Sequence, residues 1–241
     1  MKIDSIIKSG ELSQEHKKHL QFIDTMNVKS SLVIIILLLF DLPITIGLAS
    51  TMNWFFLWIL APLIVIIHLW TIRLLIKNPY STQFEVIRYT GVLGIVGAFS
   101  FLLLSQGMAY ISLYISSSLF YMIVNITFLI MSYILIKYQI IRYSENQRKE
   151  QQKSDQSKYI GLMIISPAIG LILFQLTKDT SLLQLTIMVA LIYLLSLFYV
   201  YVAAKFIHKY LFMKVNIDYV TFQTPIKKEY KKFKEKGIEI K

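Results

Sequence analysis

The feature that most constrains the fold is a series of apolar blocks, each about as long as a bilayer is thick. Residues 54–76 read WFFLWILAPLIVIIHLWTIRLLI and hold only His68 and Arg73 as ionisable side chains. A helix rises about 1.5 Å per residue, so about 20 such residues cross a ~30 Å hydrocarbon core. Hydrophobic residues make up 56% of the 241-residue chain, enough for several such blocks. The sequence therefore predicts an all-α, polytopic integral membrane protein.

Six transmembrane helices in three tight hairpins are predicted from these blocks. Their expected ranges are 31–50, 54–76, 89–105, 110–136, 159–176 and 182–212. The chain divides into an N-terminal arm (1–30), helices one to four (31–136), a linker (137–158), helices five and six (159–212) and a basic tail (213–241). Short connections are expected at 51–53, 106–109 and 177–181. In the arm, Leu12, Leu20, Ile23 and Met26 lie at near-helical spacing, which indicates a short helix in the membrane plane.

The distribution of positive charge predicts the orientation. With the N-terminus inside, all but one of the 25 lysines and arginines fall on the cytoplasmic side, and only Lys178 falls outside. The positive-inside rule therefore predicts that both termini are cytoplasmic. The same distribution accounts for the net charge of +11. We expect those residues to face anionic lipid headgroups, at about 1 kcal/mol each, and expect no nucleic acid partner.

One carboxylate interrupts the first span, which reads LLLFDLPITIG over residues 37–47. Asp41 lies about ten residues from the predicted turn, so ~15 Å deep and close to the midplane. A charge at that depth costs about 2.5–3.5 kcal/mol, so the side chain should face the bundle, find a partner or be protonated. His68 of the second span is the nearest ionisable residue in depth. Pro43 cannot donate a backbone N–H and therefore frees the carbonyl of Leu39.

Two interpretations of Asp41 stay open. In the first, a substrate or ion pathway is lined by Asp41, His68 and Asn125, and the bending points are Pro43, Pro62 and Pro167. In the second, Asp41 is neutral or hydrogen-bonded and clamps helix one to helix two. Ser118, Asn125 and Ser132 recur every seven residues, which favours helix packing over a pathway for that stripe. Gly91, Gly94 and Gly97 predict a surface that another helix backbone approaches closely.

The sequence lacks the residue patterns of known catalytic sites. The chain has no cysteine, and the sequence contains no H-E-x-x-H, no G-x-S-x-G and no phosphate-binding glycine-rich loop with lysine. The four histidines are not spaced as a metal site within the core. We therefore expect no enzyme activity, no metal and no cofactor.

The chain resembles known membrane proteins in its composition, number of spans and loop lengths, and not in any sequence motif. An isoleucine- and lysine-rich chain without cysteine and with six short-looped spans resembles small membrane proteins of low-GC Gram-positive bacteria. Some of these are encoded beside type VII secretion or bacteriocin clusters as accessory or immunity proteins. The permease subunits of ABC-2 type exporters are similar in length and orientation, although the first external connection here, 51–53, is shorter than theirs.

That resemblance implies a non-catalytic multi-pass protein that acts through a membrane-protein partner or a second copy of itself. The alternative is a small permease, or the membrane subunit of a transporter, with a midplane site around Asp41.

Overall fold

The computed structural model describes residues 2–3, 12–51, 54–144 and 180–224, which fold almost entirely into helices. These are α1 (Gln14–Leu20), α2 (Val28–Ile34), a π-helix (Ile35–Asp41), α3 (Leu42–Thr51), α4 (Trp54–Ile76), α5 (Gln83–Ile111), α6 (Ser118–Ser144), α7 (Ser181–Val215) and a 3-10 turn (Ile217–Tyr219). No β-strand occurs in these ranges, although a parallel backbone bridge pairs Gln21 with Thr221. The predicted all-α class is confirmed.

Five helical stretches are long and apolar enough to cross a membrane. They are Val28–Ala49, Phe55–Ile76, Gln83–Ile111, Ser118–Tyr143 and Ser181–Val215. The first stretch joins α2, the π-helix and α3 end to end, and the others coincide with α4, α5, α6 and α7. The predicted span 159–176, which includes Pro167, lies outside the described residues.

The centre of the bundle is α5, which packs along α7. At Gly94 an added Cβ would lie 2.4 Å from the backbone N of Ala203, and at Gly97 it would lie 2.2 Å from the ring of Tyr199. At Gly91 the nearest atom would be a side-chain carbon of Ile207, at 2.8 Å. All three distances are shorter than carbon contacts allow, so this is a face on which only hydrogen fits. It is the face on which the sequence predicts the close approach of another backbone.

The predicted connection at 106–109 is wrong. Helix α5 continues through it to Ile111, and the chain turns at residues 112–117, where Tyr114 adopts a left-handed φ of 54°. Gly107 suggests a helix break from its residue type, but here an added Cβ would lie 2.6 Å from the ring of Phe56. The glycine therefore allows Phe56 of α4 to pack closely against α5.

Two helices extend beyond their predicted ends. Helix α5 begins at Gln83, one and a half turns before the expected start, and α6 runs to Ser144, into the range expected to be a linker. Both extensions are ordered by contacts with the N-terminal arm or with α7 and not by apolar periodicity.

The N-terminal arm forms a short helix, α1, which is shorter than predicted because Leu12, Ile23 and Met26 lie outside it, and the arm packs on protein. Leu12 and Leu20 are almost fully buried, in a second apolar cluster that contains Phe22, Phe212 and Met213. The N-cap of α1 is Ser13, whose hydroxyl accepts the backbone N–H of His16. The expected position in the membrane plane is therefore corrected: the apolar face of the arm covers the end of α7.

Candidate functional site

Asp41 and His68 are in direct contact across the first two spans. The Oδ2 atom of Asp41 lies 3.1 Å from Nε2 of His68, the contact that the depth of the two residues predicts. Their side chains keep 25% and 37% of their surface uncovered by the described residues. Among the residues that the structure describes, the pair therefore lies at the surface of the bundle and not deep within it.

The second ring nitrogen of His68 fixes the protonation of the pair. Nδ1 lies 2.8 Å from the carbonyl oxygen of Ile64, one turn earlier in α4. A carbonyl only accepts, so Nδ1 carries a hydrogen. Between Nε2 and Oδ2 there must then be one more proton, because two acceptors would otherwise face each other. The pair is either a histidinium and a carboxylate, or a neutral histidine and a carboxylic acid.

In both states the net charge of the pair is zero. At the midplane position that the sequence predicts for Asp41, a separate charge is expensive but a neutral hydrogen-bonded pair is not. Sharing one proton with His68 is thus how the chain accommodates a carboxyl group in its first apolar span.

The backbone at Asp41 departs from a regular α-helix. Residues Ile35–Asp41 form a π-helix, and the N–H of Leu42 bonds to the carbonyl of Leu37. Helix α3 then begins at Leu42, so Pro43, which has no backbone N–H to donate, follows directly on the π-helix within one continuous helical stretch. A π-helical turn inside a membrane span often marks a functional position.

The carbonyl that Pro43 is expected to free is satisfied from another helix. The hydroxyl of Tyr199 on α7 donates to the carbonyl oxygen of Leu39 at 2.9 Å. Tyr199 is 2% exposed, so this bond is sheltered from water and lipid. It ties α7 to the irregular part of the first span.

A second polar contact, between Thr71 and Tyr89 and one turn from His68, is an example of a structural hydrogen bond between two helices. The hydroxyl of Thr71 donates to the carbonyl of Ile67, and the Tyr89 hydroxyl donates to Thr71 Oγ1 at 2.5 Å. Both side chains are almost fully buried between α4 and α5. The Asp41–His68 pair differs from this one by its exposure.

Asn125 is not brought to Asp41. Its side-chain oxygen accepts from Gln106 Nε2 at 2.8 Å, and its amide donates to the carbonyl of Tyr121. The contact with Gln106 joins α6 to α5, which is the interhelical bonding expected of packing.

The other predicted packing and bending residues contribute less. Ser118 lies exposed at the start of α6, and the buried hydroxyl of Ser132 has no hydrogen-bond partner among the described residues. At Pro62, α4 continues as one helix.

A histidine cluster that the sequence did not reveal joins the arm to the ends of α6 and α7. His19 Nε2 lies 3.0 Å from His208 Nδ1, and the His19 ring stacks on Tyr143 with centroids 3.7 Å apart. His16 Nε2 donates to the carbonyl of Tyr143 at 3.4 Å. His16 and His19 are three residues apart, so the sequence predicts that both side chains lie on the same face of a helix. Nothing in the sequence points to His208 as their partner.

This cluster is built for neutral histidines. Burial lowers the pKa of His19 to about 2, with smaller contributions from His208 and Lys209, and burial also lowers the pKa of His16. In the described part of the chain no group of three histidine, aspartate or glutamate side chains has the geometry to hold a metal ion. The arm is fastened in addition by Arg142, whose guanidinium donates two hydrogen bonds to Glu15, at 2.9 and 3.0 Å.

Two polar arrangements thus stand out: the partly exposed Asp41–His68 pair beside the π-helix, and the closed histidine cluster under the arm. The first is open to another molecule, whereas the second is filled by the chain itself.

No family model, no curated protein and no solved structure matches this chain.

Proposed function

We propose that this chain is a non-catalytic, multi-pass protein of the bacterial cell membrane that acts by binding another membrane protein at the Asp41–His68 pair. The role would be that of an accessory or immunity-type component of a secretion or export system. The observation that carries the proposal is the exposure of a polar pair near the predicted midplane, on an otherwise apolar surface.

The unused hydrogen-bonding capacity of Asp41 supports this. His68 contacts Oδ2, and no described residue donates a hydrogen bond to Oδ1. Lipid tails offer no donor either, so nothing among the described residues or the lipid tails satisfies this oxygen. A hydroxyl or amide from a partner helix would supply an interhelical hydrogen bond of about 1 kcal/mol. The apolar neighbours Leu38 and Leu42, both more than half exposed, would add packing.

Six spans and two cytoplasmic termini are part of the proposal. Near the end of α6 the Tyr143 ring lies 5.3 Å from His208 and 6.3 Å from Phe212, both near the end of α7. Helices α6 and α7 therefore end at the same end of the bundle. Since α7 is ~50 Å long at 1.5 Å per residue, its start lies more than a hydrocarbon core away. The chain between 144 and 181 has to return across that distance, which supports a further span at 159–176.

A small permease or transporter subunit is the second candidate. It is favoured by the π-helix at Ile35–Asp41, followed at once by Pro43, because interrupted spans at the midplane often form transport sites. A pair that shares one proton could release it to a passing substrate. In that case the Asp41 carboxyl group itself is required, whereas a partner-binding surface requires only a polar group.

Photo-crosslinking in intact cells tests the proposal. A photoreactive amino acid at position 42, beside Asp41, should give an adduct with one defined membrane protein. A control probe at Leu129, which is also exposed but lies on α6, should not. Asp41→Leu should abolish the adduct from position 42, and Asp41→Asn should preserve it.

The same adducts from positions 42 and 129, or an adduct insensitive to Asp41→Leu, would count against binding at this pair. Solute or proton flux in proteoliposomes that disappears in Asp41→Asn would favour the permease instead.

A further inference from the structure

An open cavity of about 700 Å³ lies where the end of α4, the start of α5 and the end of α7 meet. Its walls carry both charged and aromatic side chains, those of Trp70, Arg73, Phe84, Glu85, Arg88 and Tyr210. Asp41 and His68 do not line this cavity, so a ligand of the cavity is independent of the membrane-protein partner proposed above.

Within the cavity the positive charges outnumber the negative one. Glu85 lies 3.3 Å from Arg73 and 4.0 Å from Lys77, and it accepts a hydrogen bond from the indole N–H of Trp70 at 3.1 Å. Its charge is therefore balanced by α4. Arg88, one turn further along α5, lies over the ring of Trp70 at 5.8 Å. No carboxylate of the described residues forms an ion pair with Arg88.

With α4 as a membrane span, on which this inference rests, the cavity lies at the depth of the lipid headgroups. Arg73 is 18 residues after Phe55, the start of the second span, so ~27 Å along a ~30 Å core. Tryptophan and tyrosine are enriched at this level of a membrane protein. Leu69, which also lines the cavity, is 62% exposed and continues its wall onto the apolar surface of the bundle. A ligand there can have its charge in the cavity and its tail in lipid.

We propose that this cavity binds the phosphate group of an anionic phospholipid, with the Arg88 guanidinium as its principal ligand. A guanidinium presents paired N–H donors that match phosphate oxygens, and that of Arg88 lies over the Trp70 ring at 5.8 Å. The remaining positive charge of Arg73 adds attraction. The apolar wall at Leu69 and Phe84 favours a lipid over a water-soluble phosphate compound.

The test uses the full chain in nanodiscs of phosphatidylcholine with a minor fraction of phosphatidylglycerol. Native mass spectrometry of the released protein counts the phosphatidylglycerol that stays bound. Arg88→Gln should weaken its retention about tenfold, the loss expected for one charge-assisted contact. Arg88→Lys should retain an intermediate amount, because it keeps the charge and loses the planar donor pair.

The matched control is Lys137→Gln on α6. Lys137 is also a cation placed over an aromatic ring, that of Tyr133 at 5.8 Å, but it lies outside the cavity. It should leave retention unchanged. Thermal unfolding in pure phosphatidylcholine should be the same for all variants, since Arg88 is exposed.

Equal losses in Arg88→Gln and Lys137→Gln would overturn the proposal, because they would show diffuse surface charge and no defined site. Displacement of the lipid by glycerol phosphate at matching concentration would overturn the lipid assignment and indicate a soluble phosphate ligand.

Discussion

At position 41 the carboxyl group and its histidine partner divide one proton between them, and this decides what each substitution should do. Asn at position 41 can donate its amide N–H to Nε2 of His68 while Nδ1 still donates to Ile64. Leu at position 41 leaves Nε2 without a partner. Loss of the ring at position 68 leaves the carboxyl group alone in an apolar span.

We therefore expect Asp41→Asn to unfold in detergent at nearly the free energy of the wild type. Asp41→Leu should lose about 1 kcal/mol. His68→Leu should lose more, about 2 to 3 kcal/mol, because an unpaired acid remains at the midplane. Reversible unfolding of the purified chain in mixed micelles measures all three. If Asp41→Asn is as damaging as Asp41→Leu, the carboxyl group itself is needed and the shared-proton pair is not simply a hydrogen bond.

The sequence predicts the Asp41–His68 contact for a physical reason: few polar groups lie at that depth, so those that do are driven together. The same reasoning fails for Asn125. An amide carries no charge and is satisfied by any nearby polar group, in this case Gln106. The exposure of the pair could not be predicted either, because it depends on which faces of the first span and α4 their neighbours cover.

At the scale of helices, the contact between α5 and α7 depends on glycine more than on any side chain. An alanine at position 94 would bring its Cβ to 2.4 Å from a backbone atom of Ala203, which can move only if α7 moves. Gly47 is a natural comparison. There the nearest atom to an added Cβ is the end of the Leu104 side chain, at 3.2 Å, which can rotate away.

Gly94→Ala should therefore destabilise the protein by about 1–3 kcal/mol, the usual cost of overpacking. Gly47→Ala should change the free energy of unfolding by less than about 0.5 kcal/mol. Thermal unfolding of the two variants, side by side in one detergent, makes the comparison. Equal melting temperatures would mean that α5 and α7 are not packed backbone to backbone.

The docking of the N-terminal arm should depend on pH. The pKa of His19 is lowered to about 2 by burial, against an ordinary value near 6.5 when the arm is released. The docked state therefore binds fewer protons, and its stability is complete above pH 6.5 and declines as the pH falls below it. For one group the decline approaches about 1.4 kcal/mol per pH unit.

His19→Phe keeps a ring to stack on Tyr143 and removes the titration. Between pH 7.5 and 5.5 the unfolding temperature of the wild type should fall further than that of His19→Phe. Both values lie above the range in which Glu15, with its lowered pKa, takes up a proton. Identical shifts in the two proteins would show that His19 does not stay neutral in the docked arm.

Element boundaries show where sequence reasoning succeeds and where it stops. Long apolar runs predict the existence of α4, α5, α6 and α7, because in lipid the backbone must satisfy its own hydrogen bonds. The connection predicted at 106–109 is wrong because the packing role of Gly107 depends on Phe56, which is distant in sequence. The arm was misplaced for a similar reason: an amphipathic helix can cover either lipid or protein, and only the ends of α6 and α7 decide which.

At the scale of the whole molecule, the first and second spans, the α5–α7 core and the docked arm form one bundle whose charged residues gather at one end. The sequence predicts this polarity well, because charge and hydropathy are properties of the chain itself. The lipid cavity could not be predicted in the same way. Its residues come from α4, α5 and α7, and their convergence follows only from the packing of three helices.

Membrane topology is the claim on which the depth of Asp41 and the headgroup position of the cavity both depend. The chain has no natural cysteine, so single cysteines can be introduced without a background thiol. Variants at Glu150, Asp179 and Gln223 are treated with a membrane-impermeant maleimide in intact and permeabilised cells. Six spans with both termini inside require labelling of the residue-179 variant in intact cells, and of the other two only after permeabilisation. Labelling of the residue-150 variant in intact cells would contradict the orientation or the number of spans.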